Sequence, residues 1–242
     1  MPDTLTLNAD VGEGYPYDGQ ILALVHIANI ACGGHTGDDA SMRATVTLAR
    51  QHGCLIGAHP SYPDKANFGR QPMNITAADL TESLVAQISA LQRICQLQGA
   101  CLFHVKPHGA LYNQAAFDPL IGNCVIEAIK TVDPSLKLMA LAASPLLEQA
   151  TAAGIEVLAE AFADRRYQPN GALVSRQQPG ALIDNPADAI TQVTAILDGT
   201  LCAVDGSRLR LYADSLCLHG DNPEALAFAG RIRHLLDERR YA

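Results

Sequence analysis

Short runs rich in apolar and β-branched residues alternate along the chain with longer segments whose apolar positions recur at helical spacing. The runs fall at Leu5 to Asp10, Ile27 to Cys32, Cys54 to Ala58, Leu102 to Lys106, Leu136 to Leu141, Ile155 to Ala161 and Ser215 to Leu218. A further pair, Leu201 to Val204 and Leu209 to Tyr212, flanks Asp205-Gly206, a dipeptide that favours hairpin turns.

Helix starts are marked by Ser144-Pro145, Asn185-Pro186 and Asn222-Pro223, each with a side-chain acceptor at the cap and proline at the first helical position. Thr76 with Asp79 resembles a capping box. Gly53, Gly99 and Gly154 stand where left-handed C-caps would end helices before the next strand.

Strand-then-helix order with few hairpins predicts an α/β fold with about seven mostly parallel strands, either closed or open. Closure is the expected form. Nearly every strand candidate is followed at its C-terminal end by Asp, His, Lys or Glu, as in barrels whose loops converge on one mouth, whereas an open sheet gathers its ligands at a switch point. With 242 residues and no evident linker or repeat, a single barrel-like domain over residues 1–242 is expected. Asp164 to Gly180 forms a long polar loop of the kind that often serves as a lid.

Charge narrows the partners. With 25 acidic against 17 basic residues and a net charge of -8, the chain lacks the clustered cations that bind nucleic acid. Arg231, Arg233, Arg239, Arg240 and His234 fit a solvated terminal helix. Seven cysteines without a C-x-x-C pair, several in apolar runs, read as free buried thiols in a reducing compartment. The first residues, Met1-Pro2-Asp3-Thr4, carry no basic or apolar leader pattern, and no apolar stretch reaches the ~18 residues of a membrane span. A cytoplasmic location without membrane contact is expected.

Candidate chemistry clusters at the strand ends. Asp10 and Glu13 lie beside glycines, so one can serve as a base and the other as an orienting group, although Asp10 could instead cap a turn. His35 follows Gly33-Gly34 just ahead of a helix start near Asp38, where successive N–H groups could also receive an anion. His59 precedes Pro60 at a strand end, and alone it would read as a satisfied core histidine. Lys106 and His108 follow an apolar strand, and a lysine so placed should face a carboxylate or a ligand anion. Glu160, then Asp164 and Arg165, follow a later strand. The last strand leads into His219-Gly220-Asp221-Asn222, of which Asp221 and Asn222 could equally start a helix.

No nucleotide-binding glycine loop, H-E-x-x-H helix or G-x-S-x-G elbow is present. Asp10, His35, His59 and His108 would suit a divalent metal, and three such ligands plus water would make an open hydrolytic site.

Seven stretches in order, from Asn8-Ala9-Asp10-Val11-Gly12-Glu13 through Ala28 to His35, Gly57 to Asp64, Phe68-Gly69-Arg70, Val105 to Asn113 and Glu160 to Arg165 to His219-Gly220-Asp221-Asn222-Pro223, resemble the LamB/YcsF family. Ala9 and Gly34 stand where the family more often has Cys and Phe, departures that touch pocket shape rather than the ionisable set. The resemblance implies a distorted (β/α) barrel akin to the glycoside hydrolase/deacetylase fold. It also implies a subunit of an ATP-dependent 5-oxoprolinase, which converts 5-oxo-L-proline to L-glutamate together with two other subunits. In that chemistry Asp10 or Glu13 would be the base, Lys106 and Arg165 would stabilise negative charge, and His59 or His108 would supply a proton. Asn29, His35, Asn113, Glu160, Asp164, Arg165 and His219 would bind substrate. Two alternatives stay open: a metal-dependent amidase or deacetylase acting alone, and a non-catalytic substrate-binding subunit.

Overall fold

Along β1 (Thr6–Val11), Leu7, Ala9 and Val11 are fully buried against the surrounding helices, while Asn8 and Asp10 point the other way and hydrogen-bond across the sheet. This two-residue period sets the architecture of the computed structural model, which describes residues 5–176, 178–183, 185–218 and 223–240. β1 is followed by β2 (Ile27–Ala31), β3 (Leu55–His59), β4 (Leu102–Val105), β5 (Lys137–Leu141), β6 (Val157–Phe162) and β7 (Ser215–Leu218). Each strand pairs in parallel with its sequence neighbours, and β1 pairs with β7 to close a barrel. The sequence expectation of a closed, parallel, seven-stranded barrel therefore holds, with strand ends shifted by one or two residues.

The helices are α1 (Asp18–Leu22), α2 (Asp39–Gln51), α3 (Ala77–Leu97), α4 (Gly109–Ala115), α5 (Pro119–Val132), α6 (Pro145–Ala152), α7 (Pro186–Leu197) and α8 (Pro223–Arg240). The apolar core lies between them and the barrel wall. In α3, for example, Leu80, Leu84, Ile88 and Leu91 recur at intervals of four, four and three and are all buried. Thr76 accepts a hydrogen bond from the Asp79 amide, and Asn185 from that of Ala187, as the cap signals predict. Ser144 caps α6 by position only: its side chain makes no cap bond. The cap expected at Asn222 lies outside the described residues.

Gly53, Gly99 and Gly154 all adopt positive φ, the left-handed conformation expected of them. The 201–212 hairpin is reduced to one antiparallel bridge, Cys202 with Arg208, around the Asp205-Gly206 turn. The polar loop after β6 is pinned rather than free at its start. Tyr167 is buried and its hydroxyl accepts from the Phe162 amide, while the Gln192 amide reaches the carbonyls of Phe162, Ala163 and Arg165. All seven cysteines are free thiols, but Cys101 and Cys202 are exposed and not buried as expected. Among the described residues no helix is long and apolar enough to cross a membrane.

Candidate active site

The barrel lumen is polar, a feature that strand ends alone do not reveal. Ser215 accepts from Asn8, Asn29 donates to both Asn8 and Asp10, and the Asn29 carbonyl pairs with His104 Nε2 at 2.7 Å. A register shift in the β3–β4 pairing, between Ile56 and Gly57, seats His104 opposite Gly57. A Cβ at Gly57 would overlap the His104 ring, so the missing side chain is what admits the imidazole. Burial, then the charges of Lys106 and His59, push the His104 pKa down to about 3, and its ring stays neutral.

One layer higher sits Lys106, fully buried. Its amine lies 2.6 Å from Glu160, 3.0 Å from Asp10, 3.1 Å from the Asn8 carbonyl oxygen and 3.3 Å from Cys217 Sγ. Burial would favour the neutral amine, but the carboxylates of Asp10 and Glu160 hold its pKa well above the ordinary lysine range. Its three N–H donors are thus committed inside the protein. Burial and the same Glu160 keep the Tyr112 phenol protonated, its pKa far above normal.

At the mouth stand Glu13, His35, His59 and His108. Glu13 Oε1 lies 2.9 Å from His35 Nε2, 3.4 Å from His108 Nδ1 and 3.9 Å from His59 Nε2. The rings of His35 and His108 stack, 3.7 Å between centroids. Asp10 Oδ2 approaches His59 Nε2 at 3.3 Å. Burial, then His59 and His35, push the His108 pKa down to about 2. Burial likewise lowers that of His35 against the opposing pull of Glu13. The metal-ligand set expected from the sequence changes by one member: Glu13, not Asp10, joins the three histidines in a cluster whose ligand atoms all lie within 4.8 Å of one another.

A cleft of about 470 Å3 opens beside His35, the one cluster residue that lines it, with Gly12, Gly14, Thr36, Lys65 and Phe68. That is ample for a five-membered ring. A larger groove of about 860 Å3 runs outside the barrel between α3 and α5, past Val85, Leu120 and Cys124. Its ionisable lining residues are Glu82, Glu127 and Cys124, without a histidine or lysine beside them, whereas the cleft at the mouth adjoins the clustered histidines and carboxylates.

Most of the expected residues meet here: Asp10, Glu13, Asn29, His35, His59, Lys106, His108 and Glu160. Asn29, however, is fully buried and bonded to Asn8, Asp10 and His104, so it holds Asp10 instead of facing a ligand. Arg165 is buried beside Asp164 just past β6 and donates to the Val174 carbonyl. Asn113 is not brought to the site: it is exposed on α4 and donates back to the Gly109 carbonyl one turn earlier. His219 lies outside the described residues. Gly34 faces no pocket; Gln87 Oε1 and Ser61 Oγ occupy the space its Cβ would take. Sequence reading missed Asn8, His104 and Cys217, each of which lines the lumen two residues from a recognised position or strand end.

The sequence matches the LamB/YcsF family over residues 5–242. It is 50% identical over 231 residues to a 5-oxoprolinase subunit from Neisseria meningitidis serogroup A, covering 95% of this chain and 94% of that one. Among solved structures, the lactam utilization protein from Thermus thermophilus superposes with a TM-score of 0.89 at 37% identity, covering 98% of this chain and 97% of that one. Dispersin B shares the fold alone, with a TM-score of 0.51 at 8% identity over 98% of each chain. The chain belongs to the LamB/YcsF family.

Proposed function

We propose that this chain is the ring-opening subunit of an ATP-dependent 5-oxoprolinase, converting 5-oxo-L-proline to L-glutamate together with two other subunits in the cytoplasm. The names of its relatives, a 5-oxoprolinase subunit and a lactam utilization protein, support a lactam substrate. The absence of a nucleotide loop from the sequence supports assigning ATP to a partner, which would phosphorylate the lactam oxygen and leave carbon–nitrogen cleavage to this site.

What carries this assignment is the disposition of Asp10. Lys106 and Asn29 both bind its Oδ1, which leaves Oδ2 on the side of the histidine cluster. In the proposed reaction Oδ2 takes a proton from the attacking water and returns it to the leaving nitrogen, so one fixed carboxylate serves both transfers; carbon–nitrogen cleavage leaves an acyl phosphate, from which a second water releases inorganic phosphate and glutamate. His59 and His108 are poor proton donors here, because each commits its N–H to a backbone carbonyl, of Lys106 and Phe68 respectively. Lys106 is a positioning residue: with its donors committed, it fixes Asp10 and balances the buried Glu160. Arg165 and Asp164 are assigned to substrate binding at the same mouth. A divalent cation held by Glu13, His35, His59 and His108 would supply positive charge beside the reacting group.

The test is reconstitution of this chain with its partner subunits, ATP and 5-oxoproline, with glutamate followed as each component is left out. Glutamate formation should require this chain, and formation undiminished without it would defeat the assignment. The histidine cluster also suits a metal-dependent amidase acting alone, and ATP-independent, chelator-sensitive hydrolysis by the isolated chain would select that reading instead.

A further inference from the structure

The tautomers of two histidines are fixed by what they touch. His59 Nδ1 lies 2.7 Å from the Lys106 carbonyl oxygen and His108 Nε2 lies 3.0 Å from that of Phe68. A carbonyl oxygen can only accept, so both of these nitrogens carry the proton. The opposite nitrogens, His59 Nε2 and His108 Nδ1, then present lone pairs, and they face each other at 3.0 Å. Glu13 adds a carboxylate oxygen 3.4 Å from one and 3.9 Å from the other. Two lone pairs and a carboxylate at this range repel unless a cation lies among them.

We infer that Glu13, His35, His59 and His108 bind a divalent transition-metal ion of the zinc class. Tetrahedral ligands at about 2.0–2.1 Å from such an ion stand about 3.3–3.4 Å apart. The separations of 2.9, 3.0, 3.4 and 3.9 Å bracket that value, and the remaining pairs lie within 4.8 Å. Three imidazoles and one carboxylate favour zinc, cobalt or a similar ion over calcium or magnesium, which take mainly oxygen.

His35 completes the set without a conflicting demand. Its Nε2 faces Glu13, and its Nδ1 is buried without a hydrogen-bond partner, so the ring proton can move to Nδ1 and free Nε2 as a ligand. The two carbonyls supply the outer support that metal-bound histidines normally have. One of them is held under strain: Phe68 adopts a φ of +54, unusual for a residue with a side chain, and its ring packs edge-on against both His35 and His108. Asp10 Oδ2, 3.3 Å from His59 Nε2, lies just outside the four. The cluster's distances would suit a metal ion whatever the substrate.

Cobalt(II) added to the metal-free full-length chain tests it directly, read as visible absorbance and bound metal per chain. The expected result is one ion per chain, with affinity at least about 100-fold weaker in both Glu13→Gln and His59→Ala, and unchanged in the exposed control Glu82→Gln. Circular dichroism checks folding; should His59→Ala fail to fold, Glu13→Gln decides alone. No uptake by the parent chain, or uptake that the ligand variants retain, would overturn the metal site. A proton shared between His59 and His108, visible by nitrogen NMR of the imidazoles, would then account for their approach.

Discussion

Lys106 and Glu160 meet at 2.6 Å in the closed interior of the barrel, the one 2% and the other 0% exposed, and Asp10 shares the same ammonium at 3.0 Å. One buried cation therefore serves two carboxylates. Removing it strands both, and Lys106→Met is expected to cost about 3–5 kcal/mol of stability. Adding Glu160→Gln should recover part of that loss. Urea unfolding of the two single variants and the double variant measures the coupling, and additive losses would show that the pair is not energetically joined.

His104 gives a pH signature. Its folded pKa of about 3 lies below the ordinary 6.5, so as pH falls the unfolded chain takes up a proton that the folded chain refuses. Its contribution is intact above about pH 6.5 and is lost progressively toward pH 3. Relative to His104→Gln, the parent protein should lose about 2 kcal/mol between about pH 7.5 and about pH 5. Urea midpoints at the two pH values read this, and parallel pH dependence would place the imidazole in water.

Gly57 should tolerate no side chain. Gly57→Ala puts a methyl group onto the His104 ring and is expected to destabilise by about 1–3 kcal/mol, with His104→Ala relieving the clash in the double variant. Thermal melts of the three proteins check this. A single variant as stable as the parent would mean that the ring has room to move.

The barrel was legible because its strands carry apolar residues on the outer face and ionisable residues at their ends, a pattern visible in Asn8-Ala9-Asp10 and in His104-Val105-Lys106. The lumen was not, because attention to strand ends passes over the residue two positions earlier. Asn8 before Asp10 and His104 before Lys106 share the inner face by the same two-residue period and build the network that holds the site. Asn113 was drawn in by its neighbours in a motif, yet it sits a full turn along α4 from the mouth and its amide serves that helix itself. The exchange of Glu13 for Asp10 in the histidine cluster was hidden because it depends on where the Gly12–Gly14 turn aims a side chain, which spacing alone does not fix.

The placement of Asn113 outside the site is testable. Asn113→Ala should leave glutamate formation within about twofold of the parent and stability within about 0.5 kcal/mol, as for other surface changes. A loss of turnover at constant stability would return Asn113 to the site.

Asp10→Asn bears most directly on the central claim, that one carboxylate held by Lys106 and Asn29 carries the proton transfers of lactam cleavage. With partner subunits, ATP and 5-oxoproline present, the variant should form glutamate at least about 100-fold more slowly than the parent while remaining folded. Turnover equal to the parent's would contradict the account.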